Sequence, residues 1–454
     1  MKQKTALIPE SEWLFSRQQI RALLVPLMLE QALAILIGMA DTVMVAGCSE
    51  AAVSGVSLVD SINVLLIQVF SALATGGAVV TAQYLGKGDR EAASASARQL
   101  FYVVLLSSVA LAGLCLALRR PILSGLFGAI EADVMRNAQI YFLLTALSYP
   151  FLALYNASAA LLRSMNNAKA SMYTSLVMNL INVAGNALLI YGFHLDVLGA
   201  GIATLVSRMV GAILMQRTLR APECLLPFPR LLPLRWQGGL VRKILQVGVP
   251  NGLENGLFQL GKLVLVRMIA TFGTVSIAAN AVGNSVATIQ CLPGSAIGLA
   301  MITVVGQCVG AGRYDQARMY IRRLMTQAYL MMSSFNLLLL LLSRWLVKPF
   351  SLSPETEALA LQVVLIHGTG AVLIWPLSFV FPNALRAAGD ARFTMIVSAA
   401  SMLLFRVALG HVLGLGAGLG LIGVWLAMQA DWVVRIACFL WRYHSGKWMT
   451  KALV

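Results

Sequence analysis

The feature that most limits this chain is a series of twelve long apolar runs. They lie at about 22–46, 53–82, 99–118, 138–161, 171–193, 198–216, 245–271, 276–307, 321–347, 358–384, 393–413 and 420–441. Each is near or above the roughly 20 residues a helix needs to cross the hydrocarbon core of a bilayer. Of 454 residues, 59% are hydrophobic and 11% charged. A soluble domain carries about 25% charged residues, because its surface faces water. Alternating strands of about ten residues, the mark of a membrane barrel, are not seen. The reading is an all-α integral membrane protein, multi-pass, and soluble folds are excluded. Six cysteines stand singly with no CxxC or Cys/His spacing, so no metal site or disulfide framework is expected.

Charge gives the orientation. The N-terminal segment, the loops that follow even-numbered spans and the C-terminal segment carry 24 Lys or Arg. The opposite loops carry five: Arg119, Arg120, Arg136, Arg344 and Lys348. By the positive-inside rule both termini are cytoplasmic, in a cell (inner or plasma) membrane. The net charge of +16 therefore follows topology and implies no nucleic-acid partner. Residues 1–21 lack a signal peptide's apolar stretch and read as a cytoplasmic tail. Pro222, Pro227, Pro229 and Pro233 mark residues 217–244 as a linker, since proline interrupts a helix. The expected organisation is a six-helix lobe over 22–216, this linker, a second lobe over 245–441 and a tail over 442–454.

The chain matches itself at an offset of 224. Val25, Pro26, Glu30 and Leu33 fall on Val249, Pro250, Glu254 and Leu257; Gln83, Gly86 and Gly88 fall on Gln307, Gly310 and Gly312. After small gaps Leu162-Arg163 meets Leu385-Arg386 at 223, and Gly201 meets Gly423 at 222. An even number of spans per half gives both halves one orientation, related by a pseudo-two-fold axis along the membrane normal. Alternating access needs a cavity between two such halves, so transport is the expected function.

Several stretches carry a family resemblance. They are Pro26 to Gly47 with Asp41-Thr42-Val43-Met44-Val45, Ala82 to Asp89, Leu162 to Lys169, and their second-half counterparts. Over nearly its whole length the chain resembles the multidrug and toxic compound extrusion (MATE) transporters. The resemblance implies a cation-driven antiporter that expels bulky, often cationic organic compounds from a V-shaped pair of six-helix lobes. It also implies ion coupling at Asp41, which matches the family's helix-1 aspartate. Many relatives carry an aspartate where Asn186 stands here.

Charges inside a membrane cost about 2.5–3.5 kcal/mol each on insertion scales, so each calls for a reason. Glu30 and Asp41 stand eleven residues apart on the first span, about 20° apart in azimuth and roughly 16 Å in height. Asp41 either couples an ion or is hydrated near the outer helix end. Asn179, Asn182 and Asn186 fall within an arc of about 60° on the fifth span. Their carbonyls suit Na⁺ or a proton network, and equally interhelical hydrogen bonds. Their second-half equivalents, around Ser401 to Leu409, are largely apolar, so the ion machinery is expected in the first lobe. Glu30 and Glu254 either flank the substrate cavity or satisfy backbone groups disturbed by the prolines. Lys262 and Arg267 need partners, with Glu254 and Asp60 as loose candidates. Arg208, Arg406, His367, Asp431 and Arg435 read as structural, snorkelling or lobe-internal. Tyr149, Tyr155, Trp375 and Phe379, on the fourth and tenth spans, either line a substrate cavity or are lipid-facing or core aromatics.

The expectation is a monomeric secondary antiporter for a small organic cation, in contact with membrane lipid, without a cofactor and coupled to H⁺ or Na⁺. A flippase for a lipid-linked saccharide or peptidoglycan precursor is the alternative, kept open by Lys262 and Arg267. A channel is disfavoured, because no filter-like repeat is present. No catalytic triad, metal cluster or nucleotide motif points to an enzyme or to ATP-driven transport.

Overall fold

The computed structural model describes residues 9–454 except 129–130, 223, 227–230 and 232; the side chains of residue 10, residues 39–42 and residue 46 are also outside the description. Pro227 and Pro229 of the expected linker thus lie outside the described residues. The described chain is built of helices. In the first half these are α1 (Arg17–Ala46), α2 (Glu50–Lys87), α3 (Arg90–Ala117), α4 (Arg119–Phe127), α5 (Ala132–Ser164), α6 (Ala168–Asn186) and α7 (Asp196–Arg220). The second half holds α8 (Gly238–Ala270), α9 (Thr274–Gln290), α10 (Leu292–Gly310), α11 (Tyr314–Leu341), α12 (Ser343–Val347) and α13 (Pro354–Leu373). It ends with α14 (Pro382–Ala387), α15 (Ala391–Ser401), α16 (Leu409–His411) and α17 (Gly420–His444).

Among the described residues eleven helices are long and apolar enough to cross a membrane. The remaining span lies in α8, which is long enough but carries Asn251, Glu254, Asn255, Gln259, Lys262 and Arg267. Its polarity, not its length, sets it apart. The eighth span is α9 and α10 together, divided where Pro293 stands in the first turn of α10, whereas its counterpart α2 runs unbroken for 38 residues. The tenth, eleventh and fifth spans each include wider π-helical turns, at Pro376–Val380, at Met402–Ala408 and Val412–Gly416, and at Ala187–Gly192. With these, the two-times-six arrangement read from the sequence is the architecture of the chain.

Equivalent loops use equivalent chemistry. Gly88 (φ 84°) and Gly312 (φ 69°) turn the chain between the second and third spans of each half, in the left-handed region open to glycine. Asp89 then caps α3, its carboxylate accepting from the Ala92 amide. Small residues let helices approach closely. A β-carbon at Gly423 would come within 2.7 Å of the Leu413 backbone, and one at the equivalent Gly201 would meet the Leu144 side chain.

Two compact units emerge: residues 21–252, and residues 253–454 together with 1–20. In the second unit the residues preceding α1 are fastened to α11. The Phe15 amide donates to the Tyr320 hydroxyl at 2.9 Å, which in turn donates to the Phe15 carbonyl at 2.8 Å. Arg323 stacks its guanidinium 3.7 Å from the Trp13 ring centroid.

Candidate functional site

Each unit secures its first long helix with an ion pair. In residues 21–252, Arg163 Nη1 donates to Glu30 at 3.1 Å and Ser171 Oγ donates to the other carboxylate oxygen at 2.7 Å. Tyr155 is buried beside this pair, within the field of both charges and hydrogen-bonded to Ser175. In the second unit, Arg386 Nη2 donates to Glu254 at 2.6 Å and Arg386 Nη1 donates to Asn383 at 2.9 Å. Glu254 Oε2 has no hydrogen-bond partner. Both glutamates are therefore held by arginines from the matching Leu-Arg motif, a pairing not anticipated from the sequence. The signal was available: two charges of opposite sign, each repeated at the internal offset.

The polar residues of the first unit form two groups. Asn63 Nδ2 donates to Asp60 at 3.1 Å while the Tyr149 hydroxyl donates to Asn63 Oδ1 at 2.8 Å. Tyr141 and Arg208 also act on Asp60, and Arg208 donates to Ser148 Oγ at 2.6 Å. Asp60 thus has its partners inside its own unit rather than at Lys262. The second group is the asparagine stripe of α6. Asn186 Nδ2 reaches Asn182 Oδ1 at 3.5 Å, and Asn182 Nδ2 reaches Thr204 Oγ1 on α7 at 3.4 Å. Asn182 and Asn186 are buried, and Asn179 is half-buried with its Nδ2 unpartnered. Asp41 lies on α1, with its side chain outside the described residues.

The second unit carries buried polar groups of its own, on α15, on the π-helical turn Met402–Ala408 and on α17. Asp431, fully buried on α17, accepts from Arg435 Nε at 2.8 Å and from the Ser401 hydroxyl, with Arg406 Nε 3.9 Å away. Arg406 and Arg435 are buried, so they are interior groups and do not snorkel. Phe258 and Lys262 are one turn apart on α8, on one face. The Phe258 ring centroid lies 5.1 Å from Lys262 Nζ, 5.0 Å from Arg406 Cζ and 5.9 Å from Arg435 Cζ. Trp375 and Phe379 stack at 5.0 Å, and Phe379 meets Phe258 and Trp432 edge-on. The structure brings Trp375 and Phe379 together; Asn383 donates to the Phe379 carbonyl and accepts from Arg386, which in turn holds Glu254. A separate cavity of about 870 Å³ between α4 and α5 contains none of the expected site residues.

Two related six-helix halves with charged groups buried near the middle of their spans define a transporter architecture. The MatE family pattern matches residues 26–188 and again 250–412, in the register of the internal repeat. The chain belongs to this family and is a multi-pass membrane transporter. A probable multidrug resistance protein NorM of Thermotoga maritima is 26% identical over 98% of this chain and 96% of its own. A multidrug resistance MATE transporter of the MOP superfamily, solved in an outward-facing conformation, superposes with a TM-score of 0.89 at 19% identity, over 96% of each chain. A MOP superfamily transporter from Pyrococcus furiosus, described as having a binding pocket of reverse polarity, superposes at 0.88 and 19% identity over 96% of this chain and 97% of that one.

Proposed function

We propose that the chain is a monomeric antiporter of the cell membrane with both termini cytoplasmic, exporting bulky organic compounds in exchange for H⁺ or Na⁺. Family membership supports export, and the Thermotoga relative's name supports drugs among the cargo. The coupling site is assigned to Asp41 with Asn179, Asn182 and Asn186. The observation that carries this is the buried run Thr204–Asn182–Asn186, whose second-half equivalents are apolar. A carboxylate and amide oxygens are the groups that supply a proton acceptor or hard oxygen ligands for a small cation. Lipid-facing chemistry has no use for such a run.

The resemblance points to cationic cargo, whereas Lys262, Arg406 and Arg435 favour the opposite sign and keep the flippase of an anionic lipid-linked precursor as a second reading. Proteoliposomes carrying a dye substrate and separate H⁺ and Na⁺ gradients test the proposal. Asp41→Asn is expected to reduce gradient-driven transport at least about tenfold, as removal of an essential titrating group does. Undiminished transport by this variant would remove Asp41 from the coupling site.

A further inference from the structure

From the second unit we infer a binding site for an aromatic organic anion, centred on Phe258 and Lys262. The site's own residues set its sign. Lys262, Arg406 and Arg435 all lie within 6 Å of one ring, and Asp431 is the carboxylate among them. Three cations against one carboxylate leave a formal charge of +2. The other acid near this part of α8, Glu254, is engaged by Arg386. Arg406 and Lys262 also act electrostatically on one another and on His367, so the charges form one field.

Access and shape complete the case. Lys262 is exposed and Phe258 and Phe379 are half-buried, while Arg406, Arg435 and Asp431 are buried behind them. The accessible side of the cluster is thus an ammonium beside two aromatic rings. Behind it, the guanidinium groups of Arg406 and Arg435 outnumber the one carboxylate of Asp431 and raise the potential. Buried Trp375 stacks on Phe379 from behind and fixes its ring, so the half-buried Phe379 offers an aromatic surface suited to a planar ring. Phe258 is near the middle of the seventh span (245–271), the depth at which transporters of repeated architecture hold their substrates. A cationic substrate here would meet like charge on three sides. A carboxylate or sulfonate on an aromatic framework meets its complement.

This names the substrate class of the proposed exporter and rests on that reading for transport, not for binding. The full-length protein, purified in detergent, is titrated with two dyes of one xanthene framework, anionic fluorescein and cationic rhodamine 6G, and binding is followed by anisotropy. Fluorescein is expected to bind about tenfold or more tightly than rhodamine. Lys262→Gln is expected to remove most of that preference and Lys262→Glu to reverse it, while Arg344→Gln, on α12, leaves it unchanged. Tighter binding of rhodamine by the unmodified protein overturns the inference without recourse to any variant, and so does a preference indifferent to Lys262→Glu. Displacement of fluorescein by a polyprenyl diphosphate at lower concentration than by a soluble aromatic sulfonate would overturn the small-molecule assignment. Fluorescein bound but not moved by any ion gradient in proteoliposomes would overturn the antiporter reading and leave the site standing.

Discussion

The two halves hold their first long helices by the same device and then differ in the charged residues they carry beyond it. Glu30–Arg163 and Glu254–Arg386 are the same ion pair made twice, at matching positions of the repeat. Beyond it, the first half carries Asp41 and Asp60 with Arg208 and three asparagines, and the second carries Lys262, Arg406 and Arg435 with Asp431. The duplicated residues build the scaffold. Those that differ are available to work, and the division of labour we propose follows from them: a small cation on the acidic side, an organic anion on the basic side.

Even the shared device is unequal, and that gives the largest expected effect. Glu30 accepts from Ser171 as well as from Arg163, whereas Glu254 Oε2 has no partner. Arg386→Leu would strand a buried carboxylate and is expected to cost about 3–5 kcal/mol. Arg163→Leu, with Ser171 still donating, is expected to cost less. Reversible unfolding of both variants in mixed micelles measures the gap; equal losses would break the comparison at the pair.

A smaller effect is expected at the glycines. Gly423 abuts the Leu413 backbone, which cannot rotate away, while Gly201 faces the Leu144 side chain, which can. Gly423→Val is expected to destabilise by about 1–3 kcal/mol through overpacking, and Gly201→Val by less. Thermal melts of the two variants side by side give the order. Smallest of all is the structural effect at the asparagine stripe. Asn182→Leu removes two long hydrogen bonds, each worth about 0.6 kcal/mol or less in a membrane, so stability moves little while ion-driven transport falls. A large loss of stability with unchanged transport would make the stripe a structural seam.

Twelve spans, their repeat and the family were legible because they rest on the length of apolar runs and on loop residues recurring at one offset. The asparagine arc was legible as well, since Asn179, Asn182 and Asn186 all lie within regular α6, where about 100° per residue holds. Phe379 and Arg406 were not legible in this way. Both sit in π-helical turns, at Pro376–Val380 and Met402–Ala408, where each turn takes in an extra residue and shifts the azimuth of every later residue in the span. Prolines at 376 and 382 deprive the tenth span of backbone donors, which favours the wider turn there. The convergence of three cations on Phe258 draws on α8, the π-helical turn after α15, and α17. No single helix announces it.

The division of labour is tested most directly by the ratio of fluorescein to rhodamine affinity in two variants prepared alike. Asp41→Asn is expected to leave that ratio unchanged, because it alters the ion side, and Lys262→Glu to invert it. If Asp41→Asn shifts the ratio as far as Lys262→Glu does, the two halves do not divide ion from substrate and the account is wrong.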